Sequence, residues 1–472
     1  MTLLTQGVRA ALQFGSVVVI ARLLAPDDFG LIAMVAAVIG IADLIRDFGL
    51  STAAVQASTL SRPERTNLFW ANLGLGVLCA LVSVAATPLI VAVFDEPRLA
   101  PIVLALSVVF VLSGANTQYR ADLTRSMRFG TLGTSDIASQ VAGIAVAIGA
   151  ALLGAQYWAL VAQQITVAVV SLALNGYRAG WLPGLPRRSV SLARFFRFGG
   201  GLLGTQSVGY LIKNVDNIAL GAFAGAAQLG IYSRGYQLLM TPLNTINAPM
   251  TRVAVPVLSK VQDDDVAFAR YLSRAQVVGS LVTATVFAVA AGVAEPLVAV
   301  LFGPRWTAVA PVFAVLAIGG VFRSVSQISY WVYLARGVPG AQFRMSLVMA
   351  PLMIALILAG LPWGPVGVAA GHSVAYFVMW LVTLWHVGRA ARVASRPLFT
   401  QALRTLCLVS LPAGLAAWGG SAAPWPALAQ LGSGLAAAAA AVGLMHLAVP
   451  SLRRDAAVLL RFARRAAGRG RP

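Results

Sequence analysis

Fourteen stretches of this 472-residue chain are apolar for long enough to cross a bilayer, and that succession leaves few folds open. They fall near 7–25, 29–51, 67–94, 99–119, 131–153 and 157–177. After a basic interval they resume near 198–223, 229–258, 272–294, 307–334, 345–361 and 366–387, with a last pair near 405–420 and 428–449. In hydrocarbon every backbone polar group must be satisfied within its own segment, so runs of this length read as helices. The expected fold is all-α and polytopic. Pro412, Pro424 and Pro426 interrupt the last pair, so twelve spans plus an interfacial hairpin is the alternative.

Composition agrees: 59% of residues are hydrophobic, 11% are charged, and the mean hydropathy is +0.81. A net charge of +20 would suggest nucleic acid in a soluble chain, but here the basic residues lie between apolar runs, and topology explains them. Nucleic acid is therefore not expected as a partner. Alternate connections, beginning with the N-terminus, hold 27 of the 35 Lys and Arg residues. The opposite loops hold only Arg98 and Arg305, beside Asp27, Asp28, Asp95, Glu96 and Glu295. The positive-inside bias then places both termini in the cytoplasm. Arg9 ahead of the first apolar run could mimic a signal peptide, but the internal repeat makes that run the first span.

That repeat has two signatures. Phe29-Gly30-Leu31 opens the second span and Leu229-Gly230-Ile231 opens the eighth, 200 residues later, each after a tight outside turn. PLIVAVFDEPR at 88–98 matches PLVAVLFGPR at 296–305 with one deletion, at an offset of 207–208. Six spans per half is an even number, so the halves enter the membrane from the same side as parallel repeats. The domains expected are a six-helix lobe at 1–177, a basic linker at 178–197 and a second lobe at 198–388. An extra helix pair at 389–450 and a basic tail at 451–472 follow.

Three segments carry a family resemblance. They are ARLLAPDDFGLIAM at 21–34, the block from Arg197 to Gln262 that joins apolar helices through unusual polar residues, and EPLVAVLFGPRW at 295–306. They resemble bacterial polysaccharide transporters, the oligosaccharide-lipid flippases of the multidrug/oligosaccharidyl-lipid/polysaccharide exporter superfamily, and in particular the lipopolysaccharide-biosynthesis and colanic-acid-exporter type. The likeness covers roughly residues 10–390. It implies a V-shaped bundle of two six-helix lobes in the bacterial inner membrane. It also implies a transporter that flips undecaprenyl-diphosphate-linked repeat units by alternating access, with membrane lipids and glycan polymerase or export machinery as partners. Drug antiporters share the superfamily and supply the alternative cargo. A polyprenol-dependent glycan polymerase or ligase would need a large external loop, whereas the longest outside connection here runs over about a dozen residues, 295–306.

Charged and amide residues inside spans are the candidates for the substrate path, because each costs roughly 2.5–3.5 kcal/mol at mid-depth unless it faces a partner or a wet cavity. Lys213 and Asp216 share one helix face, with Asn217 beside them. Arg234 lies at similar depth on the adjacent span, and an Asp216–Arg234 pair is expected. It reads either as a structural ion pair fixing the hairpin or as a cationic wall for an anionic headgroup. Arg323, with Ser324, Ser326 and Gln327 near it, is the leading cavity-lining cation of the second half. By the 207 offset Asn116 takes the equivalent place in the first half, followed by Gln118, Tyr119 and Arg120. A diphosphate needs cations and a glycan needs amides or aromatics, which these positions offer. Asp136 reads as an interfacial acid or as a proton- or cation-coupling carboxylate. Asp43, Arg46 and Asp47 read first as an interfacial salt-bridge cluster. Pro242, Pro249 and Pro256 recur every seven residues on nearly one face, as passive curvature or as a hinge.

Catalysis and cofactors find little support. No P-loop motif appears. His372, His386 and His446 lack partners at metal spacing, and Cys79 and Cys407 stand alone in apolar runs. Gly371-His372-Ser373-Val374-Ala375 imitates a nucleophile elbow but begins a hydrophobic span. Asp263-Asp264-Asp265 reads as a solvated acidic turn. The chain is expected to be no enzyme, with no cofactor and no metal.

Overall fold

The computed structural model describes residues 15–47, 50–57, 59–187 and 191–450, together with Leu12, Leu452 and Arg453; side chains at 41–49, at 194 and at 197–213 lie outside that description. The described residues form only helices and the turns between them. They are α1 (15–23), α2 (Pro26–Asp47), α3 (Leu50–Gln56), α4 (Arg62–Phe94), α5 (Leu99–Arg125), α6 (Phe129–Leu152) and α7 (Trp158–Ala179). Then follow α8 (Ala193–Lys260), α9 (Asp265–Gly279), α10 (Thr285–Gly292), α11 (Ala294–Phe302), α12 (Val309–Ala335), α13 (Pro339–Ala359) and α14 (Gly364–Ala390). The last are α15 (Ser395–Thr405), α16 (Leu411–Ser421) and α17 (Ala427–Ala448).

Nine continuous stretches among the described residues are long and apolar enough to cross a membrane. One of them, Pro339–Ala390, has 52 residues and would extend about 78 Å as a single rod, far beyond a hydrocarbon core. It breaks at a 3-10 turn, Leu361–Trp363, and at left-handed Gly364, into α13 and α14. The 68-residue α8 breaks likewise at Gly225 (φ 81°, ψ 177°), a conformation that an L side chain rarely adopts. Counting its two limbs, and joining α9 to α10 and α15 to α16 through π-helical segments Ser280–Ala284 and Leu406–Ser410, the described residues form thirteen passes, with α1 (15–23) as the described part of a fourteenth. The closing stretches, Ser395–Ser421 (27 residues) and Ala427–Ala448 (22 residues), are both of spanning length despite their prolines.

Local chemistry sets the helix ends. Ser61 caps α4 in a reciprocal box with Glu64: Glu64 N–H donates to Ser61 Oγ (3.3 Å), and Ser61 N–H donates to Glu64 Oε2 (2.8 Å). Asp264 caps α9 by accepting from the backbone of Val266 (3.0 Å) and Ala267 (2.9 Å), so the acidic triplet starts a helix. The connection expected at 295–306 is shorter than the sequence suggests, because α11 carries the helix on to Phe302.

The repeat is visible in the backbone. Phe94 and Phe302 end equivalent helices, followed by left-handed Asp95 and Gly303, which keeps the 208 offset there. Beyond that turn the register changes. Leu99 and Val309 each open a 27-residue helix, and left-handed Met127 and Gly154 recur as Gly337 and Gly364, all 210 apart. Two extra residues in the second turn account for the change. Arg323 is therefore equivalent to Ser113, and Asn116 to Ser326; the 207 alignment of Arg323 with Asn116 is corrected.

Contacts divide the chain into two compact units, Met1–Ser233 and Arg234–Pro472. The division falls inside α8 because the turn at Gly225 packs on α2. A Cβ on Gly30 would stand 1.7 Å from the carbonyl oxygen of Ala226, and one on Gly230 would stand 1.9 Å from that of Pro26. At the 200-residue offset these are one contact made twice, about a local two-fold. In the same unit the interval after α7 is tied to α4. Asn67 exchanges two hydrogen bonds with the backbone of Arg187 (2.7 and 2.8 Å), and Trp70 Nε1 donates to Gly184 (2.8 Å).

Candidate functional site: a polar cavity in each unit

In the first unit, α3, α5, α6 and α7 line an open cavity of about 980 Å³. Fourteen of its nineteen lining residues are polar, and none is aromatic. From α5 come Ser113, Asn116, Thr117, Arg120 and Thr124; from α6, Asp136, Ser139 and Gln140; from α7, Gln163, Gln164 and Ser171. Helical spacing aligns them: 113, 116/117, 120 and 124 recur every three or four residues, as do 136 and 139/140. Such a stripe cannot face lipid without cost, so the helices turn it inward.

Two arrangements organise the wall. Arg120 forms a two-pronged ion pair with Asp136 at 2.6 and 3.3 Å, joining α5 to α6. Asn116, 7% exposed, donates to Ser171 Oγ (2.9 Å) and accepts from Asn175 Nδ2 (3.0 Å), joining α5 to α7. Gln118 corrects the sequence expectation. It is fully buried away from the cavity, and its side-chain amide has no partner among the described residues. Two residues along a helix is a turn of about 200°, so Gln118 faces opposite to Asn116 and Arg120.

The second unit has a smaller cavity, about 250 Å³, between α12, α13 and α14. Arg323 lines it, with its guanidinium 4.8 Å from the ring centre of Tyr376 and Tyr236 as a hydrogen-bonding neighbour. Its Nη1 is buried with no partner among the described residues. Gln327 lines the cavity too and donates to Thr251 Oγ1 at 3.3 Å. Tyr330, Tyr333, Met345, Met349 and Met379 form much of the remaining wall.

Sequence reasoning weighed His372 only as a metal ligand and as part of a nucleophile elbow, and did not foresee its place between two tyrosines. It is 2% exposed, packed edge-on against Tyr236 (5.5 Å) and tilted against Tyr376 (4.8 Å). Its Nδ1 has no partner among the described residues. The signal available was the His372/Tyr376 spacing of four on an otherwise apolar span; a search for metal spacing passes over it.

The hairpin at the break of α8 differs from expectation. Tyr232 donates to Asp216 Oδ2 at 2.7 Å, with Tyr232 fully buried and Asp216 3% exposed. Tyr232, two residues before Arg234 along the same limb, is thus a partner of Asp216 that the sequence reading did not name. Asn217 donates its backbone N–H to Asp216 (2.8 Å) and its side chain to Asn214 (3.4 Å). Lys213 lies in the helix, but its side chain is outside the described residues, as are those of Asp43, Arg46 and Asp47. Between α4 and α5, Arg98 holds Glu96 (2.7 Å) and Asp27 (2.6 Å). Arg98's hydrogen bonds hold the Glu96 carboxyl below its ordinary pKa.

Comparisons with known proteins agree with this architecture. A family described as "Polysaccharide biosynthesis protein" matches residues 19–311. The chain is 29% identical over 380 residues to the lipopolysaccharide biosynthesis protein WzxC of Escherichia coli K12, covering 76% of each. It is 26% identical over 431 residues to the teichuronic acid biosynthesis protein TuaB of Bacillus subtilis 168, covering 90% of this chain and 88% of that one. The fold is similar to that of the lipid II flippase MurJ in an inward closed conformation, with a TM-score of 0.72 at 13% identity over 94% of this chain and 98% of that one. The fold is thus that of a polytopic all-α membrane protein, and because the family match spans more than half its length, the chain belongs to the polysaccharide biosynthesis protein family.

Proposed function

We propose that this protein moves undecaprenyl-diphosphate-linked oligosaccharide repeat units from the inner to the outer leaflet of the bacterial inner membrane. Both termini face the cytoplasm, and transport proceeds by alternating access without covalent chemistry. The observation that carries the reading is the cavity in the first unit. At about 980 Å³ it stands at the upper end of the roughly 300–1,000 Å³ usual for small-molecule sites, yet most of its lining residues are polar and none is aromatic, unlike a drug pocket. Hydroxyls and amides can exchange hydrogen bonds with sugar hydroxyls at little net energy, and a carrier must release its cargo as readily as it takes it up. Asn116, Arg120 and Gln164 are the residues assigned to the glycan; Asp136 holds Arg120 in place. The names of the relatives, which place them in the biosynthesis of surface polysaccharides, point the same way.

Deletion followed by lipid analysis tests the function. An undecaprenyl-diphosphate oligosaccharide should accumulate on the inner leaflet while surface glycan falls. Unchanged surface glycan with altered drug sensitivity would instead identify a drug antiporter.

A further inference from the structure

The two cavities are the same cavity, inherited twice and chemically divided. In the 210-residue register Ser113 becomes Arg323, Asn116 becomes Ser326 and Thr117 becomes Gln327, and all six residues line their own unit's cavity. Arg120 becomes Tyr330 and Asp136 becomes Ser346, again on both walls. The ion pair that neutralises the first cavity is therefore missing from the second. A cation stands instead where the first unit has a serine.

We propose that the cavity of α12, α13 and α14 is an anion subsite that takes the isoprenoid diphosphate, whereas its counterpart in the first unit takes uncharged sugar. The assignment rests on the transport reading above. Among the described residues lining the second cavity there is one cation, Arg323, and no carboxylate. Burying a guanidinium without a counter-charge is costly, and the cost is recovered when an anion completes the pair. Tyr376 under the guanidinium and Tyr236 beside it hold the fork in place, and one buried edge, Nη1, lacks a partner. A phosphate accepts from such a fork through two oxygens at once. The methionines of the same wall, Met345, Met349 and Met379, are flexible and apolar, which suits the isoprene units next to a diphosphate.

The test uses the purified full chain in lipid nanodiscs, with farnesyl diphosphate as the probe and farnesol as the uncharged control. Wild type should bind farnesyl diphosphate at least tenfold more tightly than farnesol. R323Q should weaken farnesyl diphosphate about tenfold or more. R323K, which keeps the charge and loses the fork, should weaken it about threefold and carries the test if R323Q does not accumulate. The double variant N116A/Q164A should stay within twofold of wild type in this assay while reducing glycan export in cells. Wild-type affinity in R323Q, or in R323K where only that variant accumulates, overturns the subsite. So does an equal loss in N116A/Q164A. Failure of the transport reading shows separately: a deletion strain that keeps its surface glycan overturns the function even where the purified protein binds farnesyl diphosphate.

Discussion

At the residue scale, two substitutions separate packing from polarity. Gly30→Ala would place a methyl carbon 1.7 Å from the Ala226 carbonyl, a backbone atom that cannot step aside alone. The expected loss is about 3 kcal/mol, read as a lower melting temperature in detergent, because overpacking at a rigid contact forces helices apart. Gly74→Ala, with no atom within 4 Å of the added carbon, should leave the melt unchanged or raise it. Equal melting of the two variants would refute the crossing. Tyr232→Phe removes the hydroxyl that satisfies buried Asp216 and should cost about 1–3 kcal/mol, whereas half-exposed Tyr271→Phe should cost little. Neither effect was readable from the sequence. The repeat marked Gly30 and Gly230 as equivalent, but only their contact shows why glycine is required. The Tyr232–Asp216 bond depends on helix rotation, which depth along the span does not specify.

At the element scale, the ion pairs act as rivets between neighbouring helices. Arg120 and Asp136 join α5 to α6 with a third and a sixth of their side chains exposed or somewhat more, so water screens them only in part. A double-mutant cycle with R120Q and D136N should return a coupling of about 1 kcal/mol, with the double variant losing less than the sum of the two single losses. Additive melts would show the pair to be incidental, and a transport defect confined to D136N would assign the carboxylate a coupling role of its own. The Glu96–Arg98–Asp27 cluster is more exposed and should contribute under about 1 kcal/mol. Its pH sign follows from the lowered Glu96 pKa. That stability is fully present above the unfolded glutamate pKa and is lost as pH falls through the lower folded value. R98Q should therefore narrow the gap between neutral and strongly acidic melts. An unchanged gap would mean that the cluster contributes nothing. The polar stripe on α5 was legible from spacing alone, since 113, 116/117 and 120 share a face. The inclusion of Gln118 failed for the same reason: it sits half a turn away.

At the scale of the whole molecule, charge asymmetry predicts topology. Alkaline phosphatase fused in the turn at 154–156 should be active, and fused at 126–128 inactive, while a fluorescent protein after Pro472 should fluoresce from the cytoplasm. The reverse pattern would invert the direction of transport read here. The described passes are joined by short turns, and the polar residues that line open space among the described residues include those of the two cavities.

The sequence by itself determined the helical class, the succession of apolar spans, the duplication and the charge asymmetry of the loops. Each depends on hydrophobic length, loop charge or pattern identity, quantities that are linear along the chain. Only the tertiary structure decided the register of the repeat beyond residue 98, the partner of Asp216, the burial of Gln118 and the placing of His372 against Tyr376. These depend on how each helix is rotated about its own axis, and packing against neighbours sets that rotation, because lipid is nearly as apolar as the side chains it meets.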